Sequence, residues 1–238
     1  MLKEYFDKLY SGSREDFFRL ADEALDRARR LFVVTANPEV MMLAQADSEM
    51  DAVLCSDSAT IIADGIGVVV AAHELGLKEV ERIPGVELAA ELLQRAGESG
   101  KRVYLYGAKE EIVQTLAQRI REQTPAVRLV GVRNGYGGDD EGVFADILEQ
   151  QPDLVLVALG AGRQEKLIGR WITRFDKGVF IGVGGAFDVL SGQKQRAPEL
   201  FLKLNLEWLY RITKEPKRLG RFARSNLRFF GQVRRIGR

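Results

Sequence analysis

Leu154-Val155-Leu156-Val157-Ala158-Leu159-Gly160-Ala161-Gly162-Arg163-Gln164 decides the fold class. Its first six residues are apolar without a break. A strand wetted on one face would alternate apolar and polar side chains, so this one is buried on both faces. Two glycines then turn the chain, and helical spacing begins at Gln164 and runs over 164–175. Strand, glycine turn and helix together form the repeating unit of a parallel sheet with helices on both sides.

The same unit recurs in both directions from there. Apolar runs stand at Leu31-Phe32-Val33-Val34, Ala59-Thr60-Ile61-Ile62, Val103-Tyr104-Leu105-Tyr106, Val127-Arg128-Leu129-Val130 and Val179-Phe180-Ile181. Helical patterns occupy 85–99, 110–123 and 141–150. Ser13-Arg14-Glu15-Asp16 opens a further helix through Phe17, Leu20, Ala24 and Leu25 to Arg30. The prediction is an α/β fold with a mainly parallel sheet. After Gly185 the pattern changes. Pro198 opens a long helical stretch to about Lys214, Pro216 breaks it, and a basic helix follows from Lys217. The chain therefore divides into a body, 1–197, and a helical appendage, 198–238.

Composition narrows the chemistry. The 238 residues are 46% hydrophobic and 29% charged, ordinary for a folded chain with a real core. One cysteine, Cys55, excludes an internal disulfide, and one histidine, His73, excludes a multi-histidine metal centre. The composition offers no obvious metal site, and no cofactor is expected. No apolar run approaches the roughly 18–20 residues of a spanning helix, and the first residues lack a signal-peptide core. A cytoplasmic location is the expectation.

The net charge of +1 is unevenly placed. Residues 209–238 hold ten basic side chains against the single acidic Glu215, a charge of +9, which leaves the other 208 residues at −8. A basic tail on an acidic body meets something anionic: a phospholipid surface, a nucleic acid or a diphosphate.

In a parallel sheet, ligands gather at the carboxyl ends of the strands. Those ends carry Thr35-Ala36-Asn37-Pro38-Glu39, Ala63-Asp64-Gly65-Ile66-Gly67, Gly107, Asn134-Gly135-Tyr136-Gly137-Gly138, Gly160-Ala161-Gly162 and Gly182-Val183-Gly184-Gly185. Glycines let the backbone approach a ligand, and helix N-termini offer N–H groups to phosphate. Asp64 either caps the helix after it or serves as a general base in the cleft. Arg82 and Arg163 are either phosphate clamps or surface charges, with the surface-charge reading slightly favoured for each. His73 lies outside the set and reads as structural. A dinucleotide-dependent oxidoreductase needs a complete GxGxxG fingerprint, and position 165 is Glu. A nucleic-acid-binding module would use the basic tail but leaves the cleft residues unexplained.

Taken in order, these segments resemble a known family. Thr35-Ala36-Asn37-Pro38-Glu39, Ala63-Asp64-Gly65-Ile66-Gly67, Arg82-Ile83-Pro84-Gly85, Gly160-Ala161-Gly162-Arg163-Gln164-Glu165-Lys166, Gly182-Val183-Gly184-Gly185-Ala186-Phe187-Asp188, Arg196-Ala197-Pro198, Leu206-Glu207-Trp208-Leu209-Tyr210-Arg211 and Glu215-Pro216-Lys217-Arg218 look like the WecG/TagA/CpsF family of bacterial glycosyltransferases. The resemblance runs from about residue 31 to residue 221. It implies a Rossmann-like body and metal-free, inverting transfer from a UDP-sugar to a polyprenyl-diphosphate-linked sugar at the cytoplasmic membrane face. The sugar would be N-acetylmannosamine or a relative of it, and the product a teichoic acid or another surface polysaccharide.

The resemblance also assigns residues. Asp64 matches the base, Thr35 and Asn37 polar neighbours, and Gln164 a cleft glutamine. Arg82, Tyr136, Gly185 and Asp188 match the nucleotide pocket, and Arg211, Arg218 and Arg221 match arginines that reach the diphosphate. Gly162, Leu167 and Gln195 depart from residues common in the family, which bears on the choice of sugar. The partners implied are the UDP-sugar, the lipid-linked acceptor and an anionic membrane, with no nucleic acid; a homo-oligomer is compatible. For the tail, Phe222, Phe229, Val233 and Ile236 fall on one helical arc, with Arg221, Arg224, Arg228 and Arg235 opposite. The arc is expected to enter the membrane; the other reading packs it on the body.

Overall fold

The computed structural model describes residues 2–237, apart from the side chains of Arg218 and Arg221. Its strands are β1 (Arg30–Ala36), β2 (Ala59–Ala63), β3 (Arg102–Gly107), β4 (Arg128–Arg133), β5 (Leu154–Ala158) and β6 (Gly178–Gly182). They form one open sheet in the order β2-β1-β6-β5-β3-β4, and every pairing is parallel. The helices are α1 (Leu2–Asp7), α2 (Arg14–Asp26), α3 (Pro38–Ala44), α4 (Ser48–Cys55), α5 (Ile66–Glu74), α6 (Gly85–Glu98) and α7 (Glu110–Gln123). After them come α8 (Asp140–Gln150), α9 (Arg163–Trp171), α10 (Ala186–Leu190), α11 (Glu199–Lys203), α12 (Glu207–Lys214) and α13 (Arg218–Ile236).

Successive side chains of each strand enter different layers. Leu31 and Val33 join a core with Phe17, Leu92, Leu116 and Phe187, under α2, α6, α7 and α10. Phe32 and Val34 join the opposite core with Tyr5, Met41, Phe144 and Phe229. The unbroken apolar runs are therefore explained: neither face of the sheet is wet.

Several boundaries differ from the sequence reading. The helix capped by Ser13 stops at Asp26 rather than Arg30. Ala28 takes a left-handed φ of 50°, and Arg30 already pairs in β1. The fourth strand is Arg128–Arg133, because Val127 is spent in a turn, its N–H donating to the Thr124 carbonyl at 3.0 Å. The 164–175 helix ends at Trp171 and tightens into a 3-10 turn over Ile172–Arg174. The stretch from Pro198 to Lys214 is two short helices, not one. Asn205, at φ 56°, turns the chain between α11 and α12. Helices α1, α3 and α4 were not anticipated.

The tail also corrects an expectation. Its apolar arc does not face outward to a membrane. Phe229 is wholly buried and Val233 nearly so, and α13 packs on α3, α1 and α5. The Phe229 ring lies 6.1 Å from Phe6 and 5.3 Å from Phe230. Docked this way, the arc covers apolar side chains of α3 and α5 that would otherwise be wet. Arg224, Arg228, Arg234 and Arg235 point to solvent, as does Leu227, 77% exposed.

Phe229→Ala is expected to cost about 3–5 kcal/mol, through lost burial and the cavity left behind. Urea unfolding should show a lower midpoint with an unchanged slope. A loss below ~1 kcal/mol would mean that α13 does not rest on this core.

Candidate active site

A cleft of about 520 Å³ opens over the carboxyl ends of β1, β2 and β6 and is walled by α12 and α13. Its floor is built from strand ends that the packing fixes. Segment 80–84 runs beside β2, with the Ile83 N–H donating to the Ala63 carbonyl at 2.8 Å, and this brings Arg82 and Gly85 against Asp64.

Asp64 is half-buried. It does not cap α5, whose N-cap is Gly65 and has no side-chain cap bond. Its Oδ1 accepts instead from the N–H of Gly85, the first residue of α6, at 2.8 Å. Among the described residues no donor reaches Oδ2, which lines the cleft with the rest of the residue. Burial pushes this carboxyl above the usual aspartate range; the Gly85 N–H and the charges of Arg211 and Arg82 pull it back in part, while Glu207 adds to the rise.

Thr35 is buried at the cleft floor, its hydroxyl donating to the Gly182 carbonyl at 2.9 Å. Asn37 caps α3: its Oδ1 accepts from the Val40 N–H at 3.0 Å. Both residues line the cleft with Asp64, as does Gly185 at the start of α10.

Arg82 lines the same cleft, but each of its three nitrogens has a protein partner. Nε donates to the Asp64 carbonyl oxygen at 2.9 Å, Nη1 to Asn205 Oδ1 at 3.1 Å and Nη2 to Glu207 Oε2 at 3.1 Å. Arg211, half-exposed, gives Nη2 to the other oxygen of Glu207. The two arginines hold Glu207 below the usual glutamate range despite its burial.

Gln164 lies beneath the cleft rather than in its wall. Its Oε1 accepts from the N–H groups of Gly160 (3.2 Å) and Gly184 (3.0 Å), and its Nε2 donates to Glu165 at 2.8 Å. The amide thus staples two glycine loops together, and at 3% exposure it does not face the cleft. Glu165 is fully buried, accepts from the Gly162 N–H at 2.6 Å, and is pushed up by desolvation. Gly162 itself sits at φ 87°, which an L side chain would strain.

Tyr136 and Asp188 stand away from this wall. Tyr136 is 76% exposed on the loop after β4. That loop borders the crevice between β5 and β3, whose connections leave in opposite directions, the position where open α/β sheets take ligands. Asp188 pairs with Lys194 at 3.3 Å, and Lys194 reaches Glu215 of the appendage at 3.1 Å. Arg163 is a structural clamp on Asp140 (2.5 and 2.9 Å) and the Gly135 carbonyl. His73 closes the last turn of α5, its Nε2 3.1 Å from the Val80 carbonyl. The side chains of Arg218 and Arg221 lie outside the described residues.

The sequence reading gave the apolar residues of one wall no role in the cleft. Ile66 and Val70 of α5, Trp208 of α12, and Phe222 and Phe230 of α13 make an apolar flank. Trp208 and Phe222 stack with centroids 4.8 Å apart and an interplanar angle of 6°. Glu207 and Asn205 were likewise not singled out, although Glu207 is the acidic residue nearest the start of the basic tail. Among the described residues no group of three His, Cys, Asp or Glu side chains is placed to hold a metal ion. The site offers a desolvated carboxylate, guanidinium groups and backbone N–H donors. That set can remove a proton from a hydroxyl while stabilising negative charge on a departing phosphate.

Comparison with known proteins agrees with this chemistry. The profile described as "Glycosyl transferase WecG/TagA/CpsF family" matches residues 6–237. An N-acetylglucosaminyldiphosphoundecaprenol N-acetyl-beta-D-mannosaminyltransferase of Bacillus spizizenii is 38% identical over 194 residues, 82% of this chain and 75% of the relative. Proteins of the same name from Bacillus subtilis (strain 168) and Staphylococcus aureus (strain MW2) are 39% and 38% identical over 194 residues. They cover 82% and 80% of this chain, and 75% of each relative is matched.

A base must be ionised to accept a proton, and the Asp64 carboxyl is held above its ordinary value. A reaction using it should therefore lose kcat/KM as pH falls, with the acid limb centred above pH ~4. A limb at or below that value in a pH-rate profile would show a well-solvated carboxylate.

Proposed function

Because the chain belongs to the WecG/TagA/CpsF family of glycosyl transferases, we propose that it moves N-acetylmannosamine, or a closely related sugar, from a UDP-sugar to a polyprenyl-diphosphate-linked N-acetylglucosamine. Its relatives' names specify that acceptor headgroup and a β-linked mannosaminyl product. The oxidoreductase and nucleic-acid readings are not favoured: the match runs through cleft and tail together.

The observation that carries the reading is Asp64, with one oxygen tied to the α6 N-terminus and the other open to the cleft. Asp64 Oδ2 takes the proton of the acceptor hydroxyl as that oxygen attacks the anomeric carbon. The bond to the UDP oxygen breaks on the opposite face, which inverts the centre. A positioned base contributes about 10²–10⁴-fold. Charge growing on the diphosphate is met by Arg211 and by N–H groups of the glycine loops, which Gln164 holds in register. Arg218 and Arg221 belong to the same role. The nucleotide extends from Gly185 and Asp188 towards Tyr136 at the β5–β3 crevice. Thr35 and Asn37 shape the floor beside the base. The apolar flank of Ile66, Val70, Trp208 and Phe230 suits the first isoprene units of the acceptor.

We keep the division at residue 197: the body supplies base and nucleotide pocket, the appendage the remaining wall. No described helix is long and apolar enough to cross a membrane. The proposed location is peripheral, on the inner face, where the outward arginines of α13 and the exposed Leu227 meet anionic lipid. Each basic residue near such a surface contributes about 1 kcal/mol.

The deciding assay offers a panel of radiolabelled UDP-sugars with a lipid-diphosphate-GlcNAc acceptor. UDP-N-acetylmannosamine should label the lipid product, in EDTA as well as without it. Asp64→Asn should lower turnover at least ~100-fold while UDP still binds. Near-native turnover in that variant would remove Asp64 from the role of base.

For the membrane, Arg224→Glu, Arg228→Glu and Arg235→Glu together should abolish pelleting with phosphatidylglycerol vesicles, with the fold kept by Phe229. Undiminished pelleting would exclude this face as the contact.

A further inference from the structure

The buried inventory of α12 is unusual for an amphipathic helix. Its buried residue is not apolar but the acid Glu207, 5% exposed. A carboxylate taken out of water is costly unless its oxygens are paired. Here each oxygen has its own partner: Oε2 accepts from Arg82 Nη2, and Oε1 from Arg211 Nη2. Arg82 is in turn fastened to the Asp64 carbonyl and to Asn205. A continuous chain of charge-assisted bonds therefore runs from the backbone of the base, through Arg82 and Glu207, to Arg211.

The two arginines are not equivalent within it. Arg82 has a protein partner on every nitrogen, and its side chain is 20% exposed. The Arg211 side chain is 50% exposed, and among the described residues its Nε and Nη1 have no protein acceptor. It lines the cleft with those groups to offer. Arg82 is a strut, and Arg211 is the guanidinium able to grip an anion. Asn205 contributes through its left-handed backbone, which turns the chain so that Glu207 points inward.

We infer that Glu207 is a positioning residue of the transfer reaction: it seats α12 on the strand end that bears Asp64 and aims Arg211 at the departing diphosphate. The inference rests on the transfer reading given above. A conventional apolar contact would hold the helix but could not orient a guanidinium; a carboxylate shared by two arginines does both.

The arrangement has an electrical signature that simple helix packing lacks. Among the described residues the charged groups near Asp64 are Arg82 from the 80–84 segment, Arg211 and Glu207 from α12, and Glu39 of α3, which lines the same cleft. Arg82 and Arg211 favour the ionised carboxylate, and Glu207 opposes it. Neutralising Glu207 removes an opposing charge, so the base stays ionised to lower pH.

The test uses the full chain with Glu207→Gln and Glu207→Ala, and three readouts: kcat/KM against pH, UDP affinity by calorimetry, and hydrogen exchange of amides 207–214. Glu207→Gln keeps the shape and is expected to fold where the alanine variant does not. It should lower kcat/KM roughly 10–100-fold, weaken UDP, speed exchange in 207–214 but not in the sheet, and shift the acid limb to lower pH. Wild-type kcat/KM in Glu207→Gln would overturn the inference. Lost activity with an unmoved acid limb and unchanged UDP affinity would also overturn it, since that is what mere packing predicts. A wild-type protein that transfers no sugar defeats the transfer reading instead; unchanged UDP affinity and exchange in Glu207→Gln would then defeat the seating of α12 separately.

Discussion

A parallel sheet covered on both sides can present chemistry only along the edge where its strands end. In this chain the covering is thorough: side chains from Leu31 to Val34 alternate between two cores, and β5 and β6 are buried throughout. Everything polar that must meet a ligand is pushed to the carboxyl ends. Asp64, Thr35 and Asn37 sit there for that reason, one residue or less beyond β2 and at the end of β1. The remaining wall has to come from elsewhere, and Asn205, α12 and α13 supply it.

Three carboxyl groups show how one fold tunes a single functional group. Glu165 is fully buried among N–H donors with no cation beside it, and its pKa rises. Glu207 is buried between two guanidinium groups, and its pKa falls. Asp64 lies between these limits: desolvated, touched by one backbone N–H, and within the field of both arginines and of Glu207. The first closes a loop, the second ties α12 to the 80–84 segment, and only the third leaves an oxygen turned to the cleft. Partner type, more than depth, separates their roles.

What could be read in advance followed from whether the deciding interaction was local. The unbroken run Leu154–Val157 and the cap at Ser13 declare themselves within a few residues, and the sheet and α2 followed. Asn37-Pro38 is also a legible helix start, but as part of a polar strand end it was taken for ligand chemistry alone, and α3 was lost. Asn205 is a residue type that favours turns and a left-handed φ, but the apolar helical spacing on both sides of it outweighed that one local signal. Arg82 and Gln164 were drawn to the site by residue type. Only distances reveal that every Arg82 nitrogen and both polar atoms of the Gln164 amide already have protein partners. The tail arc was seen, yet an amphipathic pattern does not name what covers it, and here α3 does.

The helices of the appendage hold to the body by different means. Helix α13 docks through Phe229 and Val233, whereas α11 buries nothing fully and α12 buries one acid. Their docking enthalpies should therefore part ways with temperature. Seating α13 removes apolar surface from water and carries a negative heat-capacity change. Seating α12 buries less apolar surface and so carries a smaller change, and its half-exposed Arg211–Glu207 contact weakens as salt rises. Cold loosens the first and ionic strength the second, so the two halves of one wall answer to separate physical variables.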